Sequence, residues 1–255
     1  MTPSEVVIDP WLRRYHPSPE AGVRLVYFPH AGGSASACYK LSSMLAPGIE
    51  VLAVQYPGRQ DRFAEPCVDT VDELATHIHR ALDGQDALHA KPIAFFGHSM
   101  GAAIAYETAR RVEAARGQSP VQLLVSGHRA ADIVRDERVH LSGDEGLIAE
   151  LQALSGTDAS LLADKGVLEM ILPPLRADYH AIETYTWTPG PPLTCPITAV
   201  IGDQDPRVNV DEAAAWQRHT VAEFALRVLP GGHFYLGEGA HNVADLVRDE
   251  LAARV

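Results

Sequence analysis

Positive charge is in short supply in this chain. Lys and Arg total 21 against 33 Asp and Glu, a formal net charge of −12 at pH 7. Nonspecific nucleic-acid binding needs a basic surface to displace phosphate counterions, and that balance argues against it. Cysteine is scarce too. Cys38, Cys67 and Cys195 are scattered, odd in number and free of any CxxC spacing, so neither a disulfide framework nor a structural zinc site is expected. Buried or neutral thiols in a reducing cytosol fit better. No stretch approaches the roughly twenty apolar residues of a membrane helix. Residues 1–10 carry Glu5 and Asp9 and no apolar run of signal-peptide length. The expectation is a soluble, cytoplasmic protein that avoids membranes. The early glycines lack the Gly-x-x-x-x-Gly-Lys-Ser/Thr pattern that cradles phosphates.

What is present is an ordinary globular composition. The chain has 255 residues, 46% of them hydrophobic and 21% charged, the size of one large domain or two small ones, with a core large enough to fold unaided. Short apolar runs alternate with helical patterns, which points to an α/β fold with a mostly parallel sheet covered by helices. The expected strands are Val23–Phe28, Glu50–Gln55, Pro92–Phe96, Val121–Ser126, Pro196–Ile201 and Phe224–Leu229. Helices are expected near Val71–Leu82, Met100–Arg116, Asp211–His219 and Asn242–Ala253. The alternation breaks between about Ala131 and Trp187. There Leu147, Leu151 and Leu154, with Ile148 beside them, recur at helical spacing. A second apolar series, Leu161, Leu162, Leu168, Ile171, Leu172 and Leu175, is interrupted by Pro173-Pro174. So long an insertion reads as a helical subdomain, 131–187, set into a core of 1–130 and 188–255. Its surplus apolar residues either face a ligand cavity or pack the insertion onto the core.

The strongest chemical signal is Gly97-His98-Ser99-Met100-Gly101, between the run Ile93–Phe96 and a helical pattern. The pattern G-x-S-x-G makes a strained turn that lifts a serine hydroxyl above the sheet edge, and its flanks must be nearly free of side chains. Ser99 is therefore the candidate nucleophile. A hydroxyl is protonated at neutral pH and needs a base and an orienting acid, which in this architecture follow in the order acid, then histidine. Among the 12 histidines, His233 in Gly231-Gly232-His233-Phe234 lies just past a strand, at the sheet edge. His219 and His241, on or near helices, read as solvated, and the side chain of His98 should point away from the reacting face. For the acid, Gly202-Asp203-Gln204-Asp205-Pro206 offers two aspartates at a strand end. Asp205 is favoured, and Asp203 reads as a turn cap. Negative charge on an attacked carbonyl oxygen calls for backbone donors: the N–H of Met100, and one from the loop Pro29-His30-Ala31-Gly32-Gly33. His30 has no second ligand at metal spacing and reads as structural.

Together, Pro29-His30-Ala31-Gly32-Gly33-Ser34, Tyr56-Pro57-Gly58-Arg59, the serine elbow, Gly202-Asp203-Gln204-Asp205-Pro206 and Gly231-Gly232-His233-Phe234 resemble the type II thioesterases. These are free-standing α/β-hydrolase enzymes of polyketide synthase and nonribosomal peptide synthetase systems. The resemblance runs from about residue 11 to the C-terminus. It implies an α/β-hydrolase fold, with Ser99 as nucleophile, His233 as base, Asp205 as acid, and Ala31 and Met100 as oxyanion donors. It further implies a helical lid over 131–187, no cofactor or metal, and hydrolysis of acyl groups from the phosphopantetheine arm of an acyl or peptidyl carrier protein. A monomer is expected. Competing readings are a carboxylesterase or acyltransferase with the same triad and, more remotely, a binding module that keeps the fold without the chemistry. Carrier proteins are usually acidic, as this chain is, so Arg59 and Arg62 near the pocket mouth are candidate docking cations. The alternative for both is a solvated surface arginine.

Overall fold

The computed structural model describes residues 6–84, 90–154, 164–237, 239–252 and 254. Its centre is an eight-stranded sheet. Strands β1 (Val6–Asp9) and β2 (Leu12–Arg14) precede β3 (Val23–Phe28), helix α1 (Tyr39–Leu45), β4 (Ile49–Val54) and α2 (Val71–Asp83). Then come β5 (Ile93–His98), α3 (Met100–Arg116), β6 (Gln122–Ser126), α4 (Asp144–Ala153) and α5 (Lys165–Glu183). The chain closes with β7 (Ile197–Gly202), α6 (Val210–Ala214), β8 (Phe224–Leu229) and α7 (Ala240–Ala252). The strand order is β1-β2-β4-β3-β5-β6-β7-β8. From β4 to β8 every pairing is parallel, whereas β2 lies antiparallel to both β1 and β4.

The six expected strands all form, each within about two residues of the expected bounds. They were legible because β3, β4, β6 and β7 are buried at every position, and a strand covered on both faces reads as a nearly continuous apolar run. The buried charges Arg24 of β3 and Glu50 of β4 pair with each other at 2.8 Å. The antiparallel pair β1–β2 and helix α1 were not anticipated. The two strands are short, four and three residues, and β2 carries the polar Arg13 and Arg14. In the described part of the terminus, Arg13 is buried against the carboxylate of Asp61.

The sheet is packed on both faces. On one side α2 and α3 cover it, joined by Phe28, Phe95, Leu123 and Trp216. On the other, α1 and α7 bury Leu25, Phe96, Leu124 and Val247. Helix α2 starts where Thr70 accepts a hydrogen bond from Glu73 N–H, and it buries the stripe Val71, Leu74, Ile78 and Leu82. Helix α3 is buried from Met100 through Ala109, and its alanines let it approach the sheet closely.

Between β6 and β7 the described residues include the helices α4 and α5, as the periodicity suggests. Helix α5 is capped by Asp164, whose side chain accepts from Val167 N–H, and runs unbroken through Pro173 and Pro174. The prolines therefore do not interrupt the apolar series. They remove backbone donors inside a helix, and Leu172 and Leu175 on either side of them pack against Leu147 and Leu151 of α4. Those leucines form a small core of their own, while Ala153 and Leu154 line a cavity beside His233. Leu161 and Leu162 lie outside the described residues. The helix expected over Asp211–His219 is α6 followed by a 3-10 stretch, Ala215–His219.

Candidate active site

The serine sits where a strand is forced to become a helix. Ser99 has φ 55° and ψ −124°, a conformation a side-chain-bearing residue adopts only when its surroundings impose it. The imposing contact is close packing of the first turn of α3 on the end of β3. A Cβ on Gly101 would stand 2.1 Å from the Phe28 carbonyl oxygen and 2.6 Å from that of Pro29. Only glycine permits that approach, and it brings the elbow beside the loop that follows β3. Met100 is the first residue of α3, so its N–H has no acceptor within the helix. In the neighbouring loop, Gly33 N–H donates to the His30 carbonyl and Gly32 N–H to Asp178.

The structure brings Ser99, His233 and Asp205 together. Ser99 Oγ lies 3.0 Å from His233 Nε2. On the far side of the ring, His233 Nδ1 is 3.0 Å and 2.9 Å from the two carboxylate oxygens of Asp205. The Asp205 side chain is wholly buried and that of His233 nearly so. Asp205 also accepts from Arg207 N–H at 2.8 Å, which holds the carboxylate in place. The other aspartate of the turn, Asp203, accepts from Gly231 N–H at 2.8 Å and ties the β7 loop to the β8 loop that carries His233. His30 packs edge-on against Phe234, and His241 is exposed on α7.

Three expectations are corrected. His219 is buried, not solvated: its Nε2 meets Asp132 at 2.9 Å, its Nδ1 meets Tyr106 at 3.0 Å, and Trp187 and Trp216 wall it in. His98 does not point clear of the site. It bonds to Ser126 Oγ at 2.8 Å, and its ring centroid is 5.2 Å from that of His233. Arg59 and Arg62 are not surface cations, being only 6% and 7% exposed. Arg62 is held by Glu65 and the Gln55 carbonyl and lies over the Trp11 ring. Arg59 makes a bidentate pair with Asp178, at 2.5 Å and 2.9 Å. Neither guanidinium is available to an acidic partner, because each is already neutralised by a carboxylate of this chain.

Asp178 escaped the sequence reading, although a signal was there. Leu172, Leu175 and Asp178 follow one another at three-residue spacing, and Asp178 is fully buried with the leucines. A carboxylate on the apolar stripe of a helix requires a partner.

Electrostatically, the surroundings of His233 are neutral imidazoles. Desolvation lowers His30 to about 4, with His233 and Arg59 adding to the effect. It holds His98 well below the ordinary histidine range, and it pushes His128 down to about 3 with help from Arg129. A positive charge arising on His233 therefore meets no fixed imidazolium at neutral pH. Among the described residues, no group of three or more His, Cys, Asp or Glu side chains is arranged to hold a metal ion. Among them, too, no helix is long and apolar enough to cross a membrane.

A family model for the thioesterase domain matches residues 23–251. The thioesterase PikA5 of Streptomyces venezuelae is 48% identical over 241 residues, covering 94% of this chain and 85% of that protein. Among solved structures, the type II thioesterase BorB from the borrelidin biosynthetic cluster superposes with a TM-score of 0.88 at 44% identity, covering 96% of this chain and 99% of BorB. YbtT, a type II thioesterase from the yersiniabactin nonribosomal peptide and polyketide pathway, gives 0.86 at 27% identity over 96% and 99% of the two chains.

Proposed function

The chain belongs to the thioesterase family, with type II thioesterases as its structural neighbours, and we propose that it hydrolyses acyl groups from the phosphopantetheine arm of acyl or peptidyl carrier proteins, clearing stalled or misprimed units. The observation that carries the chemistry is the continuous line from Asp205 through His233 to Ser99, with 2.9 Å and 3.0 Å contacts at a strained elbow.

In the proposed sequence, Ser99 Oγ attacks the thioester carbonyl carbon while its proton passes to His233 Nε2. Asp205 accepts the Nδ1–H and stabilises the imidazolium. The N–H groups of Ala31 and Met100 bind the developing oxyanion, an interaction in which one donor typically contributes about 3–4 kcal/mol. The C–S bond then breaks, and the leaving thiolate takes the proton from His233. Water enters and gives a proton to His233 as its oxygen attacks the acyl carbon. Collapse returns that proton to Ser99 Oγ and releases the free acid. Every step uses side chains and backbone of this chain plus water, with no metal or cofactor. In this reading 131–187 is the lid: α4 and α5 part for a long, thin arm and then exclude bulk water from the ester.

The test is parallel turnover of an acyl-carrier thioester and the matched oxygen ester, with Ser99→Ala as control. Preference for the thioester supports the proposal. Strong preference for the oxygen ester would return the chain to the carboxylesterases, and failure of a fluorophosphonate to label Ser99 would leave a binding module.

A further inference from the structure

The loop that presents Ala31 is not held by the sheet alone. Gly32, next to Ala31, has φ 75°, and a Cβ placed on it would stand 2.8 Å from Leu175 Cδ1 of α5. Its N–H donates to Asp178 Oδ2 at 2.7 Å. That same oxygen receives Arg59 Nη1 at 2.5 Å. The Arg59 Nη1 group also donates to the Gly33 carbonyl at 3.1 Å, and Nη2 completes the fork on Asp178 Oδ1. Arg59 is itself anchored: its Nε donates to the Pro57 carbonyl, and its own carbonyl accepts from Gln55 Nε2. Tyr56, under the guanidinium, donates its hydroxyl to the Pro29 carbonyl at the root of the loop. One buried carboxylate on α5 thus grips both a loop amide and the arginine that grips the following carbonyl.

We propose that Asp178 is a positioning residue for the oxyanion loop: it fixes the peptide next to Ala31 and makes the aim of the Ala31 N–H depend on the seating of α5. The inference rests on the reading of Ala31 as an oxyanion donor. A carboxylate is suited to the task because it can accept from an amide and from both arms of a guanidinium at once. When α5 lifts, Gly32 N–H loses its acceptor and Arg59 loses its counter-charge. The donor that stabilises the transition state is then in place only when the helix is down. The effect falls on charge that develops during reaction, so it appears in kcat more than in KM.

The experiment compares Asp178→Asn with the double variant Arg59→Met/Asp178→Leu. The double variant removes the ion pair but keeps the space filled by apolar atoms, a replacement buried pairs often tolerate. Arg176→Ala serves as a control, loosening contacts between Arg176 and residues 140–144 without touching the loop. Turnover of an acyl thioester and of p-nitrophenyl acetate is measured in parallel, so that a poor thioester rate in the wild type, which would count against the proposed function, leaves the positioning test intact. We expect kcat to fall roughly 10- to 100-fold in both Asp178 variants with KM within about threefold, short of the loss from deleting a donor outright. Affinity for a trifluoromethyl ketone, whose adduct carries the oxyanion, should fall in the same proportion, while a thioether ground-state mimic binds as before. Amide exchange at Gly32 should quicken. The proposal is overturned if folded Asp178 variants keep wild-type kcat, if both inhibitors weaken equally, or if Arg176→Ala reproduces the same split.

Discussion

The sheet and the helices above it are built on different physical terms. Below, β3, β4, β6 and β7 are buried along their whole length between two large apolar clusters. Above, α4 and α5 share a core of four buried leucines. Contacts between that segment and the rest include Arg59 with Asp178, the ion pair of Arg207 with Glu150, and the hydrogen bond from His180 to the Asp69 carbonyl. Apolar burial is non-directional and scales with area, so the lower region is secured by bulk. The upper one has only that small core of its own and is joined to the lower cluster by directional polar contacts and by Ala181, Ile182, Tyr185 and Trp187 near the end of the segment. A region with few buried apolar contacts of its own opens locally at low free energy. The site lies on the boundary between them. The nucleophile, acid and base stand on the rigid side, while the loop beside them is gripped from the other.

The largest expected effect confirms where the chemistry resides. Ser99→Ala should cut kcat by on the order of a million-fold, as removal of a serine nucleophile does elsewhere, with the unfolding midpoint nearly unchanged. A midpoint that collapses along with activity would mean that the elbow serves the fold first. Next come truncations in the two cores. Phe95→Ala, on β5 in the large cluster under α2 and α3, should lower global stability by roughly 3–5 kcal/mol in denaturant titration. Leu147→Ala deletes a fully buried leucine of the upper core, yet it should leave the global midpoint in place and speed amide exchange only within 131–187. If Leu147→Ala shifts the global transition as Phe95→Ala does, the two regions unfold as one and the contrast fails.

Backbone packing at the elbow should show a smaller but still plain effect. Gly101→Ala places a methyl group against the Phe28 and Pro29 carbonyls and should cost roughly 1–3 kcal/mol, together with most of the activity.

The smallest effect is a pH dependence belonging to the lower region. His98 and His128 are buried there with lowered pKa values, that of His128 at about 3. Below the ordinary value of about 6.5, the unfolded chain takes up protons that these groups refuse when folded. Their contribution is therefore complete above about pH 6.5 and is lost as pH falls toward the folded pKa. For His128 alone this amounts to roughly 2 kcal/mol between pH 7 and pH 5. Denaturant titrations at the two pH values should show the loss, and His128→Gln should reduce it. Equal slopes in wild type and variant would assign the pH sensitivity to other groups.

Local pattern determined much of this protein. Parallel strands buried on both faces read as nearly continuous apolar runs, and a strained elbow must be flanked by glycine. Hence the sheet from β3 to β8 and the placement of Ser99, Asp205 and His233 at strand ends were legible in the amino-acid sequence. The short antiparallel strands at Val6–Asp9 and Leu12–Arg14 were not, because runs that short carry no period. The passage of α5 through Pro173-Pro174 was decided by packing against α4, which overrides local propensity. Tertiary structure alone decided the fate of the charges. Whether Arg59 faces solvent or a carboxylate 119 residues away, and whether His219 is hydrated or walled in by tryptophans, depends on which distant groups are folded against them. Desolvation and pairing belong to the three-dimensional neighbourhood, not to the residue type.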